Sequence, residues 1–259
     1  MEIKFRKYQG TGNDFVIIDN RDGSYGGLNT EQVAFLCNRK LGIGADGLMM
    51  LEEAEGFDFR MVYYNSDGKE GSMCGNGGRC LVQFAYDLGI RKVKYVFKAV
   101  DGPHEALIDA TGLIQLKMKD VSEVAEHGTD QILNTGSPHY IRFVENIDET
   151  DVYAEGRKIR YNDTYAAEGI NVNFVTRKDW GIKIRTYERG VENETLSCGT
   201  GATAAAIASS TQPGEQEIPV EVEGGRLAIR FNRTSEKSAE NIWLIGPATL
   251  VFEGIINLD

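Results

Sequence analysis

Two cysteines sit in the same four-residue pattern, Cys74-Gly75-Asn76-Gly77 and Cys198-Gly199-Thr200-Gly201, 124 positions apart. A thiolate is a usable base near neutral pH and a thiol is its conjugate acid, so a matched pair points to paired acid–base chemistry. A second pair of segments keeps the same offset, Thr11-Gly12-Asn13 recurring as Thr135-Gly136-Ser137. Two coincidences in one register indicate an internal duplication of a half-chain unit, each copy carrying one cysteine at a glycine-rich turn into a helix.

The position of the cysteine explains its use. The first turn of a helix leaves backbone N–H groups unpaired and carries roughly +0.5 of an elementary charge. Both effects favour an anion and pull a thiol below its ordinary pKa of about 8.5. The glycines allow close backbone approach, so the same amides can receive a substrate carboxylate. Two such turns facing each other would grip one carboxylate, with a thiolate on one face of the neighbouring carbon and a thiol on the other. That arrangement suits removal of an α-proton and its return on the opposite face. The developing charge spreads into the held carboxylate, so neither pyridoxal nor a metal is required. Two close thiols would share one proton and titrate as a unit.

The surrounding elements must present these turns. Met1 to Tyr8 alternates charged and apolar residues and reads as a strand, as does Phe57 to Tyr63. Gly77 to Leu88 reads as a helix, with Cys80, Leu81, Phe84, Ala85 and Leu88 at three- and four-residue steps and Gly89 to end it. Val93 to Val100 and His104 to Ile108 flank the hairpin signal Asp101-Gly102, and Leu113 to Met118 supplies another strand. The second half repeats the order. Strand-like runs at Tyr140 to Val144, Val172 to Thr176 and Ile182 to Tyr187 precede the alanine-rich helix Ala202 to Ser209. Ile218 to Val222 and Leu227 to Phe231 flank Gly224-Gly225, and Ile242 to Ile256 is again strand-like. The expectation is an α+β protein of two pseudo-symmetric domains, residues 1–119 and 120–248, the last residues 249–259 returning to the first. Each would be an antiparallel, barrel-like sheet around a central helix, with the active site in the cleft between them.

Composition bounds the function. The 259 residues carry 39 acidic and 28 basic side chains, a formal charge of −11, which would repel phosphate backbones and anionic lipid surfaces. Neither nucleic acid nor membrane is an expected partner. No apolar run approaches the ~20 residues of a membrane span, and the N-terminal stretch lacks the apolar core of a signal peptide. Cysteines at 37, 74, 80 and 198 fit neither a disulfide framework nor closely spaced zinc ligands, so reduced thiols in a cytoplasmic enzyme are expected.

The chain also resembles the diaminopimelate epimerases over essentially its whole length. The likeness rests on Gly10-Thr11-Gly12-Asn13-Asp14-Phe15, Gly42-Ile43-Gly44-Ala45-Asp46-Gly47, Tyr64-Asn65-Ser66-Asp67-Gly68, Met73-Cys74-Gly75-Asn76-Gly77-Gly78-Arg79-Cys80, Pro138-His139, Asn171, Glu188-Arg189-Gly190 and Ser197-Cys198-Gly199-Thr200-Gly201. The resemblance implies cofactor-independent interconversion of LL- and meso-2,6-diaminopimelate, on the route to lysine and, in many bacteria, to peptidoglycan, by a homodimer acting on a small amino-acid substrate. It implies that Cys198 takes the α-proton of the LL isomer while Cys74 protonates the other face, with the roles reversed for the meso isomer. The amides of Gly75, Asn76, Gly199 and Thr200 would hold the reacting carboxylate, and Asn13 would lie near that end. Asn65, Asn171 and Arg189 would bind the distal carboxylate and Glu188 the distal ammonium, while His139 and Glu188 would tune the thiols. Three departures stand out. Many relatives have Asn at the place of Ser137, some have Gln at the place of Gly47, and the stretch Val191-Glu192-Asn193-Glu194 is one residue longer than is usual.

Other readings remain open. A lone cysteine before a helix is more often a small buried hydrophobe, which is the account given to Cys37 and Cys80. Asn13-Asp14 and Asn65-Ser66-Asp67-Gly68 are good turn formers by themselves. His104 and His127 have no partner motif and receive no role. A proline racemase or hydroxyproline epimerase shares the opposed-cysteine layout, but Asn13-Asp14-Phe15 and Glu188-Arg189-Gly190 argue against it. A non-catalytic thiol switch or amino-acid-binding protein would instead join Cys74 and Cys198 in a disulfide.

Overall fold

The structure, a computed structural model, describes residues 1–258. The chain forms two compact units, one of Met1–Leu116 together with the stretch from Gly246 onward, the other of Lys117–Ile245.

In the first unit, β1 (Glu2–Gly10) and β2 (Asn13–Asp19) form a hairpin and α1 (Thr30–Cys37) leads to β3 (Gly47–Glu52) and β4 (Arg60–Asn65). Helix α2 (Gly75–Asp87) then leads to β5 (Lys94–Ala99), β6 (Gly102–Ile108) and β7 (Ile114–Lys117), and the last strand of the chain, β17 (Thr249–Asn257), pairs antiparallel with β1. The second unit has β8 (Val124–His127), β9 (Asp130–Asn134), β10 (Pro138–Phe143), α3 (Val152–Arg160), β11 (Asn171–Lys178) and β12 (Gly181–Glu188). It continues through β13 (Asn193–Thr195), α4 (Gly199–Ser209), β14 (Gly214–Val222), β15 (Gly225–Ser235) and β16 (Ser238–Gly246). Apart from β13, the order from β9 to β15 repeats that from β1 to β6, so the duplication read from the cysteine motifs is present in the elements themselves.

The sheets are mixed, which corrects the antiparallel expectation. Pairs β2–β3, β4–β5, β10–β11 and β12–β14 are parallel. The physical reason is the connection: each pair is joined across a helix, α1, α2, α3 and α4 in turn, and a parallel pair needs such a crossover. Alternation along a strand reports which face is buried, not which way the neighbour runs. Helices α1 and α3 were not anticipated, although both start on side-chain caps. Asn29 and Gln32 form a reciprocal capping box on α1, and Asp151 accepts from Ala154 N–H on α3. The continuous strand expected over Ile242 to Ile256 breaks between Gly246 and Thr249, where Pro247 has no N–H to give a ladder. The strand placed at Phe57 to Tyr63 starts instead at Arg60, because Phe57 N–H closes a turn on Ala54 O and Asp58 bonds Val96 through both its N–H and its carboxylate.

Helix α4 is buried at every residue but Thr200 and Ser209 and packs against β9, β10, β11, β12, β14 and β15. A helix made of Ala and Ile has no polar stripe to keep in water, so the sheet wraps it. Its core includes Ile141, Val175, Ile184, Ile207, Ile229 and Leu244. A satellite cluster seats α3, through Val152 and Ile159, on Val172, Phe174 and Tyr187. In the first unit α2 packs on β1, β2 and β3 through a buried face that includes Cys80, Leu81, Phe84 and Ala85. Helix α1 places Val33, Leu36 and Cys37 against Val16, Ile18, Leu48 and Met50. Burial pushes the thiols of Cys37 and Cys80 up to about 12, which keeps both protonated. Among the described residues no helix is long and apolar enough to cross a membrane.

Candidate active site

Each cysteine of the repeated motif is the N-cap residue of its helix, Cys74 on α2 and Cys198 on α4, with extended backbone angles. Of the four α-helices among the described residues, these two lack a capping hydrogen bond from the N-cap side chain, whereas α1 and α3 have one. A thiol cannot cap as Asn or Asp does. The first-turn amides at Gly75, Asn76, Gly199 and Thr200 are therefore not occupied by the N-cap's own side chain, and a helix N-terminus in that state suits a carboxylate.

In the first unit Gly10 pairs with Asn13 around a two-residue turn whose central residues both have positive φ, Thr11 at 54° and Gly12 at 96°. A β-branched residue rarely adopts this conformation, and here Thr11 is held by its partners. Its hydroxyl donates to Gly10 O and accepts from Arg79 Nη2 at 3.0 Å. Arg79 is fully buried, and its Nη1 also donates to Asn76 Oδ1 and Gly75 O, so the guanidinium ties the hairpin turn to the first turn of α2. All these acceptors are neutral oxygens. Burial pulls the guanidinium down to about 10 against the opposing influence of Cys80 and Cys74, so it stays charged at neutral pH. Sequence reading quoted Arg79 within a motif but gave it no role; a charged residue on the buried face of an amphipathic helix was the available signal.

Asn13 is positioned from both sides. Asn76 Nδ2 donates to its Oδ1 at 2.5 Å, and its own Nδ2 donates to Asp46 at 3.1 Å. Asp46 in turn shares Arg39 with Asp14, and buried Lys7 pairs with Asp14 at 2.8 Å. Burial opposes ionisation of Asp14, but hydrogen bonds from Arg39 and Lys7 outweigh it and bring the carboxyl down to about 2. Asn65 ends β4 at the same sheet end, since Phe15 pairs with Gly47 and Gly47 with Asn65. A Cβ on Gly47 would lie 2.5 Å from the Tyr63 ring and 2.6 Å from Tyr64 O, so a side chain there would force its surroundings to move.

In the second unit β10, β11 and β12 bring His139, Asn171 and Glu188-Arg189 to one sheet end, His139 pairing with Asn171 and Val172 with Tyr187. Asn171 Oδ1 accepts from Arg189 N–H at 2.9 Å, while its Nδ2 donates to Ser137 Oγ and Pro138 O. Arg189 donates to Glu168 O, and Glu188 accepts from Thr195 Oγ1. The longer loop is absorbed locally: Glu188 pairs with Asn193, and the turn closes through Gly190 at φ 92° and Glu192 at φ 56°. His139 is wholly buried between Ser137 Oγ, 3.0 Å from Nε2, and Asn173 Nδ2, 3.1 Å from Nδ1. Burial, then the Arg189 cation, lower its pKa to about 3 against the hydrogen bond from Asn173, so the ring is neutral. Thr200 Oγ1 lies 3.4 Å from Cys198 Sγ and 3.3 Å from Ser137 Oγ, and Thr200 O accepts from Thr135 Oγ1. Asn173 is a site residue the sequence reading lacks, an Asn inside the otherwise apolar run Val172 to Val175 being its signal, and Thr135 enters that reading only through the repeated Thr-Gly segment.

Each unit thus carries a cysteine at a helix N-terminus that has no capping hydrogen bond from the N-cap side chain, beside a cluster of oriented amides and hydroxyls. Among the described residues no group of three or more His, Cys, Asp or Glu is arranged to hold a metal ion.

The diaminopimelate epimerase family profile matches residues 5–124 and 131–251. A diaminopimelate epimerase from Flavobacterium psychrophilum is 52% identical over 257 residues, covering 98% of this chain and 100% of that protein. One from Chlorobaculum tepidum is 44% identical, covering 96% and 99%. A phenazine biosynthesis protein of the PhzF family from Bacillus anthracis superposes with a TM-score of 0.74 at 17% identity, each chain covered in full, and so shares the fold.

Proposed function

The chain belongs to the diaminopimelate epimerase family, and from that premise we propose that it interconverts LL- and meso-2,6-diaminopimelate, a step of lysine biosynthesis, with Cys74 and Cys198 as its two acid–base groups. The observation that carries the reading is the repeated cysteine at the N-cap of two helices that have no side-chain cap of their own. The two epimerase domains of the proposal are residues 1–119, completed by 249–259, and residues 120–248.

For the LL isomer the Cys198 thiolate takes the α-hydrogen as a proton, forming S–H, while the electron pair of the broken C–H bond spreads into the carboxylate. Cys74 then gives its S–H proton to the opposite face of the same carbon and becomes the thiolate. The meso isomer reverses the roles. Amides of Gly75, Asn76, Gly199 and Thr200 hold the reacting carboxylate, and their hold tightens as charge builds on it. Asn13 orients that end. Asn65, Asn171 and Arg189 take the distal carboxylate and Glu188 the distal ammonium, a polar set that rejects analogues lacking the matching group.

We also infer a cytoplasmic homodimer. Reduced thiols favour the cytoplasm. Strand β17 leaves Leu250, Val251, Phe252 and Ile255 between 43 and 60% exposed, an apolar strip that a second copy would cover on a chain whose net charge opposes ionic self-association.

The test is early turnover of LL-diaminopimelate in heavy water. Two bases place solvent deuterium at one α-carbon of the product and little in unreacted substrate. Heavy early labelling of the substrate, or full activity of Cys74→Ala or Cys198→Ala, would overturn the mechanism.

A further inference from the structure

We propose that Ser137 is a positioning residue that, with the Thr200 hydroxyl, holds Cys198 Sγ at the receiving end of a one-way chain of hydrogen bonds starting at His139. The inference rests on the reading of Cys198 as one of the two acid–base thiols.

The direction of each bond follows from fixed groups at the far end. Thr186 Oγ1 donates to Asn173 Oδ1 at 2.9 Å, and Asn173 Nδ2 donates to Tyr140 O at 3.1 Å, so the amide has one orientation. That orientation turns Nδ2 toward His139 Nδ1, which must accept. A neutral imidazole that accepts at Nδ1 carries its hydrogen on Nε2, and Nε2–H donates to Ser137 Oγ. Asn171 is oriented in the same way, its Oδ1 accepting from Arg189 N–H, and its Nδ2 is a second donor to Ser137 Oγ at 3.1 Å. Both lone pairs of the serine are then taken. Its single hydrogen goes to Thr200 Oγ1, and the threonine hydrogen goes to Cys198 Sγ.

Every hydrogen in the chain therefore points at the sulfur. A hydroxyl donor is worth more to a thiolate than to a thiol, and donors in series polarise one another. No proton moves along the chain. The buried, neutral His139 acts as the donor that sets its polarity rather than as a base for Cys198. An Asn at position 137 would have no hydroxyl hydrogen to pass on, so the relay depends on the serine. The titratable neighbours on the adjoining strands are His139 itself on β10, and Glu188 and Arg189 at and just beyond the end of β12.

The experiment is site-resolved alkylation of the intact protein by iodoacetamide, followed by peptide mass spectrometry across pH, for wild type, Ser137→Ala, Thr200→Val and Thr200→Ser. Ser137→Ala and Thr200→Val are expected to move the Cys198 profile up by up to one pH unit, about a tenfold slower reaction near pH 7. The Cys74 profile stays in place, and Thr200→Ser restores that of Cys198. An unchanged Cys198 profile in folded Ser137→Ala overturns the proposal, and this half-buried serine decides the question alone if Thr200→Val does not fold. The readout is separate from turnover. Should Cys198→Ala remain fully active, the catalytic reading fails even where the alkylation shift is seen.

Discussion

Arg79 and His139 are both wholly buried basic side chains next to a motif cysteine or its supports, yet one is charged and the other neutral. Guanidinium keeps its proton even when burial works against it, whereas imidazole gives its proton up. Removing the cation with Arg79→Met takes away the guanidinium hydrogen bonds to Thr11 Oγ1, Asn76 Oδ1 and Gly75 O, and a loss of about 2–3 kcal/mol in urea unfolding is expected. Epimerase activity should fall with it, and Arg79→Lys should keep part of the activity; equal activity in all three proteins would remove the cation from the site. For His139 the folded pKa lies below the unfolded value of 6.5, so the unfolded chain binds the extra proton. Its stabilisation is complete above pH 6.5 and is lost as pH falls from 6.5 toward 3, at about 1.4 kcal/mol per pH unit. Urea titrations at pH 7, 6 and 5 should show that slope in wild type and a shallower one in His139→Gln. Parallel slopes would contradict the assignment.

At the scale of elements, the fourth position of the Cys-Gly-x-Gly motif has the same residue, Gly77 or Gly201, in both copies but different neighbours. A Cβ on Gly77 would meet the Met49 Cε methyl at 2.4 Å, the mobile tip of a flexible side chain. A Cβ on Gly201 would meet Asn173 Oδ1 at 2.5 Å, and that amide is held by Thr186, Tyr140 and His139. Gly201→Ala is therefore expected to cost about 2–3 kcal/mol and to impair activity, with Gly77→Ala costing less than half as much. Thermal melts and steady-state rates of the two variants compare them directly, and a Gly77→Ala as damaging as Gly201→Ala would refute the distinction. The start of α1 supplies a contrast. Asn29→Ala removes the capping box and should cost about 1 kcal/mol with kcat unchanged, since α1 carries no proposed site residue.

For the whole molecule, the duplication organises each half, while the exposed apolar residues of β17 are where the proposed dimer is tested. Val251→Lys with Ile255→Lys places two charges on exposed positions of that strand and should convert a dimer to a monomer in sedimentation velocity without unfolding the chain. A wild-type protein that already sediments as a monomer would dispose of the proposed dimer.

The amino-acid sequence by itself determined the duplication, the two cysteine turns, the helices that follow them and the family, because these are carried by local patterns and fixed spacings. Read alone it misassigned the strand directions as antiparallel, missed helices α1 and α3, and left the surroundings of the motifs undecided. Period-2 alternation is the same for parallel and antiparallel neighbours, so only the crossovers across α1 to α4 settled that the sheets are mixed. Likewise, nothing in the order of residues joins Ser137 to Thr200 or Thr11 to Arg79. Those contacts exist because folding buries polar groups that must each find a partner, and the choice of partner is made by which strand ends and helix starts meet in space.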